Sequence, residues 1–245
     1  MSTSSRTASF ESIDPSYLVE EETLSCYRPQ DYYPARLGDV FHNGRYEVIG
    51  QSEYVALKVF INNSKYHREL PVYEEINNLS STSMQEGQIY IRKMYDSFEL
   101  PGPNGRTHIC LVHQPLGTSI SELKDLCEGR VLPIEMIRPV LRCTLSGLQF
   151  LHTEVRIIHT DLQPANMLLG VHDRSILAQF ERDESEYPCP RKELNDRTIY
   201  MSRPMRLTKG PPHITDFSEW DPEDRHDAGG VYMDEWPSHD RNIQF

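Results

Sequence analysis

Read for apolar and polar positions, the chain changes rhythm three times. Residues 1–16 are rich in Ser and Thr and carry no apolar period, and residues 17–35 mix Glu with Tyr and Pro and look extended; residues 1–31 are expected to form a disordered leader. From 32 to 113 most of the pattern suits strands. Asn43-Gly44 marks a tight turn between two short apolar runs and places a first strand at 46–49. Tyr54–Phe60 is an apolar run, and 89–98 and 108–112 read as two further strands joined by the Pro101–Gly105 turn. One helix interrupts them. Over 66–79, Glu69, Val72, Tyr73 and Ile76 fall at i, i+3, i+4 and i+7, on one face. Glu74 and Glu75 fit that face less well and belong to solvent. Pro71 fits the first turn, which starts the helix near Arg68. Gln114-Pro115-Leu116-Gly117 then breaks the pattern as a hinge would. Beyond it, apolar residues at 137, 141, 145, 148 and 151 predict one core face on a long helix over 134–152. Residues 157–169 follow as a strand end, a polar turn and another apolar run. Residues 176–181 read as a strand, and 181–212 as a polar, Pro-containing insertion.

Composition narrows the class. The 245 residues can hold one large domain or two small lobes. A net charge of −12 argues against direct nucleic-acid binding and suits a basic partner, although a solvated acidic surface explains the charge as well. No apolar run is long enough for a membrane span, and no secretory leader is legible, so a cytoplasmic or nuclear monomer is expected. The 5 cysteines contain no C-x-x-C pair and the 10 histidines no metal-ligand spacing. The acidic stretch 221–235 has His226 where an EF-hand loop needs glycine.

The chemistry is concentrated in IIHTDLQPANMLL (157–169). His159-x-Asp161-Leu162-x-x-x-Asn166 has the spacing of a kinase catalytic loop, in which the aspartate accepts the proton of the attacking hydroxyl and the asparagine holds a magnesium ion. A polar turn whose Asp and Asn cap backbone groups is the competing reading. Roughly 100 residues upstream, Lys58 sits inside Tyr54-Val55-Ala56-Leu57-Lys58-Val59, the context of a phosphate-anchoring lysine rather than of a snorkelling edge residue. Two motifs in the right order are more specific than either alone. Glu69, on the buried helix face, could reach Lys58. A metal-binding aspartate has two candidate places. Ile176–Glu181 offers only Gln179, whereas His213-Ile214-Thr215-Asp216-Phe217-Ser218 offers a carboxylate, which a hard cation prefers. Asp216 is therefore chosen.

Taken together, YYPARLGDVFHNGRYEVIG, YVALKV, CLVHQPLG and IIHTDLQPAN resemble the SR-protein kinases in a divergent form associated with filamentous fungi, over about residues 26–220. Thr160, and the Pro34-x-x-x-Gly38-Asp39 segment ahead of the first strand, carry that resemblance. It implies an α+β, two-lobed kinase-like fold: a small lobe at 32–113, made of an antiparallel sheet plus one helix, and a partial large lobe at 114–245. It also implies ATP and Mg2+ as cofactors and serines of basic Arg/Ser-rich proteins as substrates. Asp161 would be the catalytic base, Lys58 the phosphate anchor and Glu69 its helix partner. Asn166 and Asp216 would be metal ligands, and Gln114 and Leu116 would meet the adenine. Four departures stand beside it. No glycine-rich hairpin separates Gly50 from the lysine strand. Gln163 stands where a lysine usually neutralises the transferred phosphate, a loss worth about 3 kcal/mol, and Ser218 replaces a glycine. After Gly230 no A-P-E segment is legible and the large lobe is expected to be incomplete. An impaired pseudokinase acting as a binding module therefore stays open as the alternative.

Overall fold

The structure is a computed structural model and describes residues 9–48, 53–62, 68–80, 83–103 and 105–222. The absent glycine hairpin (49–52) and the A-P-E and chain-end readings (beyond 222) lie outside those residues. In chain order the elements are β1 (Val40–Phe41), β2 (Tyr46–Glu47), β3 (Ala56–Val59), α1 (Glu69–Ser80), β4 (Met94–Pro101) and β5 (Thr107–His113). Then follow β6 (Leu116–Ser119), α2 (Ile120–Leu126), α3 (Ile134–Phe150), β7 (Ile157–Ile158) and β8 (Met167–Gly170). The last are α4 (Ser175–Glu186), β9 (Arg191–Glu193), β10 (Thr198–Tyr200), β11 (Pro212–Ile214) and β12 (Asp221–Pro222).

The small lobe is an antiparallel sheet in the order β3-β5-β4 with α1 against it. Strand alternation sorts its side chains. Cys110 and Val112 of β5 join Leu57 on one face, packed with Ala35, Phe41 and Val48, while Leu111 faces the other way, toward Val72, Tyr73 and Ile76 of α1. Lys58 is paired with Leu111 in the register, so the lysine is carried to the α1 side and buried. The Asn43-Gly44 turn forms as expected, with Gly44 at φ 88°, but it closes a separate ribbon, β1-β2, rather than an edge of the main sheet. The 89–98 strand begins only at Met94; Glu86–Tyr90 is a 3-10 turn.

That turn explains a misplaced helix face. On α3 the buried residues are Thr144, Gly147 and Phe150, whereas Leu141 and Leu145, expected in the core, are 53% and 64% exposed. Small residues decide the packing. A Cβ on Gly87 would lie 2.1 Å from the Ser146 carbonyl oxygen, so the turn presses directly on the α3 backbone beside Gly147. The apolar count along α3 carries no trace of that approach.

Two further expectations are corrected. Residues 176–181 are helical, not a strand: Leu177 and Glu184 of α4 are buried seven positions apart, a helical repeat that the short run Ile176-Leu177-Ala178 conceals. Residues 9–31 are docked, not a disordered leader. Ile13 N–H donates to the Arg191 carbonyl (3.0 Å), the Lys192 ammonium reaches Glu22 at 2.8 Å, and Ser202 N–H donates to Glu20 (2.8 Å). Arg191 lies over the rings of Phe10 and Tyr200. The arm and the 181–212 segment thus satisfy each other's buried polar groups. No described helix is long and apolar enough to cross a membrane.

Candidate active site

β6, β8 and β11 form a second sheet in the order β11-β8-β6. Its antiparallel register pairs Ile214 with Met167, and so brings the residues that follow Ile214 beside those that precede Met167. Thr215 N–H donates to the Asn166 carbonyl (2.9 Å), and Asp216 comes next. Two turns separated by some fifty residues in sequence therefore meet because two short strands pair. Both carry backbone strain: Thr160 has φ 58° and Asp216 φ 66°, left-handed values that cost about 1–3 kcal/mol each. The strain is held by burial. His159 is enclosed, Phe217 is enclosed against it and against Tyr73, and the neutral His159 ring donates from Nε2 to the Thr215 carbonyl (2.9 Å). Burial keeps His159 below its ordinary pKa.

The charged centre is built around Lys58. Its ammonium bonds Glu69 and lies 3.1 Å from Asp216 Oδ1. Burial opposes its charge, but Glu69 and Asp216 outweigh that and raise its pKa. One cation serves two carboxylates, and they fare differently. Burial lifts the Glu69 carboxyl above the usual range, with Lys58 opposing. At Asp216 burial pushes the same way, but Lys58 and the Ser218 hydroxyl, donating at 2.7 Å, hold the carboxyl below it. Asp216 is thus the firmer anion.

Asp161 is oriented by two amides. Asn166 Nδ2 donates to its Oδ2 at 2.9 Å, and Gln163 Nε2 lies 3.0 Å from both carboxylate oxygens. Gln163 is therefore engaged with the Asp161 carboxylate. Lys58, Glu69, Asn166, Leu116 and Asp216 all line one cavity of about 1060 Å³, and Asp161 is hydrogen-bonded to one of them, Asn166.

Of the expected site residues, Gln114 and Asp161 do not line the cavity, whereas Arg92 does. The Arg92 Nε donates to the Gln114 carbonyl (3.1 Å), and the Gln114 N–H is used by the Lys93 carbonyl (2.9 Å). The sequence reading missed Arg92. Its only signal was a charge inside the apolar run Ile89-Tyr90-Ile91-Arg92, where a half-exposed strand was the simpler account.

Comparison with known proteins gives the family. The model of the protein kinase domain matches residues 44–180. A serine/threonine protein kinase of Aspergillus fumigatus is 31% identical, over 91% of this chain and 58% of its own length. SRSF protein kinase 3 of Mus musculus is 33% identical, over 78% of this chain and 37% of its own. The serine/threonine-protein kinase SRPK of Physarum polycephalum is 30% identical, over 61% and 39%. The chain belongs to the protein kinase family, of SR-protein-kinase-like type. This kinase chain spans less than two thirds of the length of those relatives. The antiparallel sheets and helices form an incomplete two-lobed α+β kinase fold, and a protein kinase domain uses ATP with a divalent metal in general.

Proposed function

We propose that the chain is a serine/threonine protein kinase that transfers the γ-phosphoryl group of a magnesium-bound nucleotide to serine in basic, Arg/Ser-rich proteins. The observation that supports it most is the convergence of Lys58, Asn166 and Asp216 on one cavity, with Asp161 hydrogen-bonded to Asn166. Lys58 anchors phosphate oxygens and is held in place by Glu69. Asp161 accepts the serine proton as the serine oxygen bonds to the γ-phosphorus and the bond to the β-phosphate bridge oxygen breaks, a role worth about 10²–10⁴-fold in rate. Asp216, the firmer carboxylate, and the Asn166 amide oxygen are hard oxygen donors and suit Mg2+, which would neutralise phosphate charge. Gln163 supplies no charge in place of a lysine and instead steadies the base. We further propose a monomer acting in the cytoplasm or nucleus, with no membrane and no direct nucleic-acid partner. A second reading, an impaired kinase serving as a binding module, is favoured by the neutral Gln163. The substrate class is tested by offering labelled nucleotide with an Arg-Ser repeat peptide or the same peptide with Glu for Arg. Phosphoserine on the basic peptide alone is expected; equal labelling of both overturns the class, and labelling of neither favours the binding module.

A further inference from the structure

Arg92 is bonded to the chain just ahead of two walls of the cavity. Pro115 and Leu116 form the hinge wall, and Thr215 and Asp216 form the wall that leaves the second sheet. Arg92 is 4% exposed. Its backbone N–H donates to the Ile214 carbonyl at 3.0 Å, beside the parallel bridge between Ile91 and Ile214, two residues ahead of Asp216. Its side-chain Nε donates to the Gln114 carbonyl at 3.1 Å. That carbonyl belongs to the peptide joining Gln114 to Pro115. Proline has no N–H, so hydrogen bonds can hold this peptide plane only through its oxygen. The Gln114 N–H, bonded to the Lys93 carbonyl at 2.9 Å, belongs to the peptide before it and does not hold that plane.

We infer that Arg92 is a positioning residue that ties the hinge to the Asp216 turn, so that a nucleotide seated against Pro115 and Leu116 meets the metal held by Asp216 and Asn166 in register. This rests on the nucleotide and metal reading of the cavity proposed above. Mg2+ demands near-octahedral oxygen ligands and tolerates little displacement of a carboxylate. The Asp216 backbone, at φ 66°, is in a conformation that persists only where its surroundings fix it. Lys58 and the Ser218 hydroxyl fix the Asp216 side chain. Arg92 fixes where the backbone ahead of it stands relative to the hinge. The acting group is the Nε donor, not the guanidinium charge. Binding of free ATP uses the hinge and Lys58 alone, whereas binding of ATP with Mg2+ needs the hinge and Asp216 in register, so loss of the tether falls on the second.

The test is calorimetric titration of the 245-residue protein with ATP, in Mg2+ and in EDTA, for wild type, Arg92→Met, Arg92→Gln and Asp216→Asn. The ratio of the two affinities reads what the metal adds. Methionine places a methyl where arginine has Nε, glutamine places an amide N–H donor there, and both remove the charge. Mg2+ is expected to tighten ATP binding to wild type about ten- to hundredfold, and this gain should fall below about threefold in Asp216→Asn and Arg92→Met. Metal-free ATP should bind Arg92→Met within about threefold of wild type, and Arg92→Gln should keep the wild-type gain. An undiminished gain in Arg92→Met overturns the inference. So does equal weakening of ATP with and without Mg2+, which would make Arg92 a support of the fold only. A loss in Arg92→Gln as deep as in Arg92→Met also overturns it, assigning the effect to charge. A full gain in Asp216→Asn, or no ATP binding by wild type, is instead a failure of the metal or nucleotide reading and removes the inference with it. If Arg92→Met does not melt cooperatively, Arg92→Gln decides: a retained gain supports the tether, and a gain lost to the Asp216→Asn level overturns it.

Discussion

Removing Lys58 should be far more damaging than removing both charged partners of the buried pair. In Lys58→Met, Glu69 and Asp216 lose their shared cation while their side chains stay 1% and 25% exposed. Breaking a buried pair from one side costs about 3–5 kcal/mol, because the remaining charge stays buried without a counter-ion. Here two carboxylates remain, so the upper half of that range is expected at neutral pH. The pH dependence follows in sign. Without Lys58 both carboxyls rise above their unfolded values, so the folded variant binds more protons than the unfolded chain and loses stability as pH rises through that window. In wild type Asp216 behaves oppositely: its lowered pKa contributes stability that is present above the unfolded value and lost on acidification. The gap between the two proteins should therefore widen between about pH 5 and pH 7.5, by up to about 1.36 kcal/mol per unit and chiefly through Asp216, because Glu69 is already raised in wild type. Urea unfolding at both pH values, with Glu69→Gln and Lys58→Met/Glu69→Gln completing a cycle, measures it. The double variant should recover about 1–3 kcal/mol of the single variant's loss. A Lys58→Met cost below about 1 kcal/mol, or a gap that does not move with pH, would refute this reasoning.

Other outcomes follow from the same contacts. The unfolded chain protonates His113 below its ordinary value of 6.5, whereas the folded chain resists until about 2. Stability should thus fall as pH drops from 6.5, by up to about 1.36 kcal/mol per unit from this residue; His159 and His213, shifted the same way by burial, steepen it, and His113→Phe should flatten urea midpoints over that range. Gly87→Ala places a methyl 2.1 Å from the Ser146 carbonyl oxygen and should cost about 3 kcal/mol by thermal or urea melts. Lys192→Ala removes the ammonium that holds Glu22 and the Tyr17 carbonyl and should release the N-terminal arm, read as new proteolytic cleavage within residues 9–31.

The small lobe was legible because its signals are local. The lysine strand, the Asn43-Gly44 turn and the helix beginning near Arg68 each follow from spacing within a few residues, and the meeting of Lys58 with Glu69 follows from two periods read together. The pairing of Asp216 with the 157–169 turn was legible only as chemistry, by preferring a carboxylate to Gln179. What the sequence hid was set by close approach and by distant partners. The packed face of α3 is chosen by Gly147 and the turn at Gly87, not by Leu141 and Leu145. The arm at 9–31 looks disordered in isolation because its partners, Arg191 and Lys192, lie some 170 residues away. Arg92 was passed over because a lone charge in a strand-like run is most simply placed in solvent.

The central claim is that Asp161 serves as the base of a phosphoryl-transfer site. The direct measurement is the initial rate of label transfer from γ-labelled ATP to an Arg-Ser repeat peptide by wild type and by Asp161→Asn, at matched protein concentration. The account predicts labelled serine from wild type, and a rate lower by about 10²–10⁴-fold in Asp161→Asn. Transfer by Asp161→Asn at the wild-type rate, or none by wild type, would contradict it.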